Sequence, residues 1–277
     1  MAAPVWQAEP IPPQAPERHG QIEVQGGRLG YWDTGGDGPA VILLHAGTQS
    51  MAGWPYQQPV LAAAGYRAIA YSRRGYAGSD AGDEGFACDD LLALLRACGI
   101  TSAHLVAAAH GGFVAFDFAL EYPAAVASVA FVSSLLGITD ADYAEVNARL
   151  RPKFFASLPH DFQELSPSYR AGNPAGQGAW LALVHAAVPG ARIAPRLRHR
   201  LTWAALESLR CPALLLTGDS DLYTPPALLR MQAQHLDHAA FAVIAEAGHS
   251  PYWEQPAAFN EVLLGFLNRQ AVPPPSR

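Results

Sequence analysis

Short apolar runs alternate with stretches of helical apolar period along most of this chain, and few architectures accommodate that order. Residues 41–44 (Val-Ile-Leu-Leu), 104–107 and 213–217 are apolar almost throughout. A strand of that kind has no wet face, so it belongs inside a parallel sheet covered on both sides by helices. Further strands are expected at 66–71, Val126–Val132 and 241–244, with helices at 89–99, 226–236 and 256–269. The stretches 22–24 and 28–33 alternate instead, with Gly26-Gly27 as a hairpin turn. Between about 137 and 206 the alternation stops, and helical pieces at 140–155, 177–188 and 193–209 take its place. The expected fold is α/β: a mostly parallel eight-stranded sheet with helices on both faces (21–136 and 207–270) and an inserted helical cap (137–206). Residues 1–20, with five prolines, read as a flexible arm, and 271–277 as a tail.

Composition narrows the function classes. Half of the 277 residues are hydrophobic and 15% are charged, which suits a globular enzyme rather than a disordered chain. A formal charge of −6 argues against nucleic acid or an anionic membrane surface as partner. Lys153 is the only lysine among 18 basic residues. Cys88, Cys98 and Cys211 are scattered without metal-ligand spacing and read as free thiols of a reducing, cytoplasmic compartment. No membrane helix, signal peptide, metal or cofactor is expected, and the chain is expected to act as monomer or homodimer on a small molecule.

Residues 105–112, Leu-Val-Ala-Ala-Ala-His-Gly-Gly, run a strand through small residues into a Gly-Gly pair and then a helical period. That is the shape of a nucleophile elbow, the tight strand-to-helix turn that raises a reactive side chain above a sheet. The raised position would be 109. It is alanine.

A set of landmarks in order makes the chain resemble the α/β-hydrolase superfamily from Ile22 to Arg269. His45-Ala46-Gly47-Thr48-Gln49 resembles the His-Gly oxyanion loop, with Ala46 in place of the usual glycine. The run from Ser72 to Ser79 resembles the Asp-x-Arg-Gly-x-Gly-x-Ser turn, with Ser72 in place of Asp. The stretch 105–112 resembles Leu-Val-Gly-His-Ser-Met-Gly-Gly. Gly218-Asp219-Ser220-Asp221 and Ala247-Gly248-His249-Ser250-Pro251 resemble the acid and histidine loops. The resemblance implies His249 as general base and Asp221, rather than the neighbouring Asp219, as its acid. It implies oxyanion donors at the backbone N–H of His110 and of Gly47, or of Ala46 in the alternative register, with His45 supporting the loop.

Three readings of Ala109 stay open. The chain is a variant of a serine enzyme made to trap a substrate, a natural non-hydrolytic ligand binder, or a catalyst that needs no protein nucleophile. The retained acid, base and oxyanion loop favour the first. An aspartate nucleophile, as in epoxide hydrolases, is less in keeping with a loop after His45 that lacks proline. The Ala-His-Gly-Gly turn also resembles that of cofactor-independent dioxygenases, which would use His249 as base. Their acid follows the sixth strand, where this chain has Ser133-Ser134.

For the pocket, the expected lining is His45, Met51 and Trp54 from the core with Tyr143, Phe154, Trp180 and Trp203 from the cap. The cluster Arg192, Arg196, Arg198, His199 and Arg200 is either a solvated face or a lure for an acidic or phenolic substrate. The expected substrate is a small to medium apolar ester, lactone, amide or vinylogous ketone.

Overall fold

The computed structural model describes residues 9–270 apart from Asp83 and His238. Its eight strands are β1 (Arg18–Val24), β2 (Gly27–Asp33), β3 (Ala40–Leu44), β4 (Arg67–Tyr71), β5 (Ala103–Ala108), β6 (Val126–Val132), β7 (Ala213–Gly218) and β8 (Ala240–Ile244). They form one sheet in the order β1-β2-β4-β3-β5-β6-β7-β8. Only the β1–β2 and β2–β4 pairings are antiparallel; the other five are parallel.

The continuous apolar runs are buried on both sides, and the two-residue period of a strand sorts them between two cores. Ile42, Leu44, Leu105, Ala107, Val129 and Phe131 face one cluster, with Leu91 and Leu94 of α2 (Ala87–Ala97) and Val114 and Phe118 of α3 (His110–Glu121). Val41, Leu43, Val106, Ala108, Ala130 and Val132 face the other, with Leu61 of α1 (Gln58–Ala63) and Phe259, Leu263 and Phe266 of the closing helix. Each fully buried aliphatic side chain of this kind is worth about 1.5–3 kcal/mol over its exposed state.

Between β6 and β7 the chain is helical: α4 (Ala141–Leu150), α5 (His160–Glu164), α6 (Pro167–Gly172), α7 (Pro174–Ala187) and α8 (Trp203–Glu207). After β7 come α9 (Pro226–Ala233), then β8, α10 (Pro251–Glu254) and α11 (Pro256–Gln270). None of the described helices is long and apolar enough to cross a membrane.

Two expectations need correction. The helix expected over 193–209 is helical only in α8. Pro195 interrupts the run, and buried Asp117 of α3 captures the backbone N–H groups of Arg198 (2.9 Å) and His199 (2.8 Å). Backbone donors held by a side chain from another element are not available to a helix. The arm expected over 1–20 is also shorter than thought, because β1 starts at Arg18 and the preceding residues are tied to the core. Gln58 bonds both backbone groups of Ala15, and the Tyr56 hydroxyl donates to the Glu9 carbonyl. The tail 271–277 lies outside the described residues.

Candidate active site

Because β3 to β8 are parallel, their C-terminal ends share one edge of the sheet, where ligands bind in open α/β folds. Ala109, directly after β5, has φ 48° and ψ −113°, a left-handed conformation that costs a non-glycine residue about 1–3 kcal/mol. Surrounding bonds hold it there. Its N–H donates to Val132 O (2.9 Å), and its carbonyl accepts the N–H of Gly112 (3.0 Å) and the hydroxyl of Ser134 (2.7 Å). The two glycines that follow are needed for packing. A Cβ on Gly111 would run into the carbonyl oxygen of Leu44, and one on Gly112 into the side chain of Ser134.

The loop after β3 is pinned from below. The Arg73 guanidinium donates to the carbonyls of His45 and Ala46, and the Arg73 N–H donates to His45 Nε2 (3.1 Å). With its Nδ1 bonded to Ala46 O (2.7 Å), the His45 ring is consumed by the loop. A trans peptide places N–H opposite to the preceding C=O. The Gly47 N–H therefore points away from Arg73. Gly47 also abuts the elbow, since a Cβ there would lie 2.6 Å from His110 Nδ1.

The structure brings Asp221 and His249 together. His249 Nδ1 lies 2.9 Å from Asp221 Oδ2 and 3.0 Å from Oδ1, which places the proton on Nδ1 and leaves Nε2 with a lone pair. Asp221 is fully engaged: Oδ1 accepts the N–H groups of Tyr223 (2.7 Å) and Thr224 (2.9 Å), and Oδ2 the Thr217 hydroxyl (2.8 Å). Burial works against its charge, but His249 and these donors prevail and hold the carboxyl below its usual range. Burial likewise opposes a charged His249, and the Asp221 carboxylate overrides it, raising its pKa. The other two histidines of the region go the opposite way. Burial drives His110 down to about 4, with Arg73 and Arg192 adding to the effect, and drives His45 well below its usual value. Asp219 stands apart, bonding the N–H of Glu246 (3.1 Å).

A cavity of about 180 Å³ lies over these groups, bounded by Gly47, Ala109, His110 and His249 from the sheet edge, with Thr48, Phe113, Ser133 and Leu135 beside them. Its far side is Arg151, Glu164, Arg192 and Tyr223. The expected aromatic lining does not face it. Trp54, at 4.7 Å from the Tyr252 ring, and Trp180 are core residues of the second cluster, and Met51 packs against that cluster. Tyr143 accepts from Gln232 Nε2 (2.6 Å) and packs edge-on to Trp203, whose indole N–H is held by Asp142. Phe154 is 83% exposed. His45 and Ala46 also lie outside the lining. Trp54, Tyr143, Trp180 and Trp203 fill core instead, a common use of such side chains.

Sequence reasoning missed Arg151, Glu164 and Tyr223. Glu164 is 3% exposed, takes a hydrogen bond from the Thr48 hydroxyl (3.0 Å), and its backbone carbonyl accepts the His249 N–H (2.6 Å). Burial pushes its carboxyl pKa up, against the pull of His249 and Thr48. Arg151 lies over the rings of Phe155 (4.7 Å) and Tyr223 (4.9 Å), which meet edge-on, and Tyr223 packs at a tilt against His249 (4.4 Å). No local motif marks a glutamate or an arginine destined for burial; most are solvated.

The model of the alpha/beta hydrolase family matches residues 41–262, from the first buried strand into the closing helix. The chain belongs to the alpha/beta hydrolase family. By family it is a hydrolase, and its eight-stranded sheet is shared with solved structures of that class. A thermophilic esterase from Thermogutta terrifontis superposes with a TM-score of 0.77 over 92% of this chain and 100% of its own, at 23% identity. A bromoperoxidase from Bacillus anthracis gives 0.73 over 91% and 100%, at 22% identity. Among sequences, the 2-hydroxy-6-oxononadienedioate/2-hydroxy-6-oxononatrienedioate hydrolase of Burkholderia vietnamiensis is 27% identical over 268 residues, covering 87% of this hydrolase and 91% of the relative.

Proposed function

We propose that this chain is the scaffold of a Ser-His-Asp hydrolase for a small carbonyl compound (an ester, lactone, amide or vinylogous ketone) in which position 109 carries alanine. One observation carries the reading. His249, oriented by Asp221, borders the same 180 Å³ cavity as the strained residue Ala109. With serine at 109, the hydroxyl attacks the substrate carbonyl while His249 Nε2 takes its proton, and Asp221 stabilises the resulting imidazolium. The oxyanion is received by the backbone N–H of Gly47 and that of His110, one of the N–H groups a helix start leaves without an intrahelical acceptor. His249 then returns the proton to the leaving group, and water, deprotonated by the same imidazole, releases the acid. The helical segment 137–206 acts as a cap that closes the cavity from above. The names of the relatives, an esterase and a hydrolase of an oxo-dienedioate among them, fit a carbonyl substrate.

A methyl group has no lone pair to attack with and no proton to give, so the chain as it stands binds substrate without acylation. Loss of the nucleophile in a triad enzyme costs on the order of 10⁶ in turnover. Ala109→Ser is therefore expected to give a burst with an activated neutral ester such as p-nitrophenyl acetate, and an acyl adduct on Ser at 109 visible by intact mass. A folded Ala109→Ser protein with neither burst nor adduct overturns the proposal and leaves a ligand-binding role.

A further inference from the structure

The wall of the cavity opposite the sheet edge carries charge that the acyl-transfer steps do not use. Arg151 follows α4, and Arg192 lies in the irregular segment after α7, so two distant parts of the chain deliver guanidinium groups to one small cavity. Among the described residues neither is in an ion pair; Arg192 meets Glu164, and Arg151 meets Asp221, only through longer-range charge interaction. Of the five N–H donors of Arg151, three go to Leu222 O (3.0 Å), Asn147 Oδ1 (2.8 Å) and Tyr223 O (3.3 Å), leaving two. These bonds and the flanking Phe155 and Tyr223 rings fix the plane of the group in advance. Arg192 forms no hydrogen bond, ion pair or ring contact among the described residues, unlike the other arginines of its run. Arg196 lies over the Phe86 ring (4.4 Å), Arg198 pairs with Asp89 (2.6 Å) and Glu121 (3.4 Å), and Arg200 donates to Thr139 Oγ1 (3.1 Å).

The anionic side of the balance is smaller. Asp221 is spent on four donors, and Glu164, the carboxyl on the cavity wall, is bound to Thr48 rather than to either arginine. The planar guanidinium of Arg192 offers an N–H pair that matches a carboxylate, and Arg151 adds its two remaining donors, Nε–H and one Nη1–H, which reach an anion singly. We propose that Arg151 and Arg192 are a receiving site for a carboxylate on the substrate, so that the carbonyl compound this cavity selects is an acid and not a neutral ester. The inference rests on reading the cavity as the substrate site. It narrows the substrate to a keto acid or an ester, lactone or amide bearing a free carboxylate a few bonds from the reacting carbonyl.

The chain with Ala109 allows a direct test, because nothing is consumed. Calorimetric titration with 4-oxopentanoate and with its neutral amide is expected to show the acid binding about ten-fold tighter, with the gap shrinking as salt is raised. In Arg192→Gln the acid should weaken to within about two-fold of the amide, with little change in melting temperature because this residue is exposed and makes no hydrogen bond or ion pair among the described residues. Arg151→Gln, which also loses its anchoring bonds, should do the same if folded. Equal affinity for acid and amide, no binding of either, or a gap that survives Arg192→Gln overturns the proposal. Its failure is separable from that of the hydrolase reading, since the burst of Ala109→Ser with a neutral ester does not involve the arginines.

Discussion

The two sides of the cavity are built differently. The floor is made of strand ends, and the groups that orient it are committed: Asp221 to four donors, His45 to its own loop, Ala109 to Val132, Gly112 and Ser134. The roof comes from the helical segment and holds two arginines with spare donors and a buried carboxyl. A floor whose supporting groups are locked suits a chemical step that must not reorganise. A roof with spare donors is where a ligand completes the structure. On the proposed reading, one surface carries out the acyl transfer and the other selects the substrate.

The largest effect expected from breaking that contrast lies in the floor. In an Ala109→Ser background, Asp221→Asn should lower kcat by about 10⁴ with little change in KM, because the amide no longer fixes the imidazole tautomer or balances its charge. Stopped-flow kinetics across pH adds a second readout. Catalysis needs neutral His249, whose pKa Asp221 raises, so the acid limb of kcat/KM in the Asp221 form should lie above the ordinary histidine value of about 6.5 and move down in the asparagine form. A loss confined to KM would mean that Asp221 acts on binding and not on the base.

That floor was largely legible in the sequence, and the reason is physical. Buried parallel strands are continuous apolar runs, the elbow needs glycine at 111 and 112, and the acid follows such a run by a few residues, as the histidine follows the apolar edge strand β8. Each constraint is local along the chain. The roof was not legible in this way. Arg151 owes its position to carbonyls of Leu222 and Tyr223, some seventy residues away, and Glu164 to Thr48, more than a hundred away. The segment 193–202 looked helical by period, yet Asp117 of α3 takes its backbone donors. Tertiary partners overrode local preference in the roof, whereas in the floor local pattern and tertiary packing agree.

The same contrast predicts opposite signs for one substitution made twice. Gly111→Ala in the floor would push a methyl into the carbonyls of Leu44 and His45, both backbone, so α3 and β3 must part. A loss of about 1–3 kcal/mol is expected in urea denaturation. Gly178→Ala in α7 meets nothing within 4 Å and removes a flexible residue from a helix, so a gain of about 0.5–1 kcal/mol is expected. A neutral result at Gly111 would mean that the elbow does not pack on β3 as closely as described.

Glu164→Gln should have the smallest effect, and it probes the roof directly. The native state holds the Glu164 proton more tightly than the unfolded chain does, because burial disfavours the carboxylate. Its contribution to stability is therefore fully present below the ordinary glutamate range, about 4.3, and is lost as pH rises through the raised native value. Glutamine cannot ionise. Its amide oxygen can still accept from Thr48, so the variant should match the parent in melting temperature near pH 4 and exceed it progressively towards pH 8. Removing a negative charge from the cavity should also tighten 4-oxopentanoate a few-fold at pH 8 while leaving its amide unchanged, an effect of about 1 kcal/mol or less. If Glu164→Gln weakens the acid instead, the carboxyl is donating to the ligand, and the charge balance assigned to the roof must be reversed at that residue.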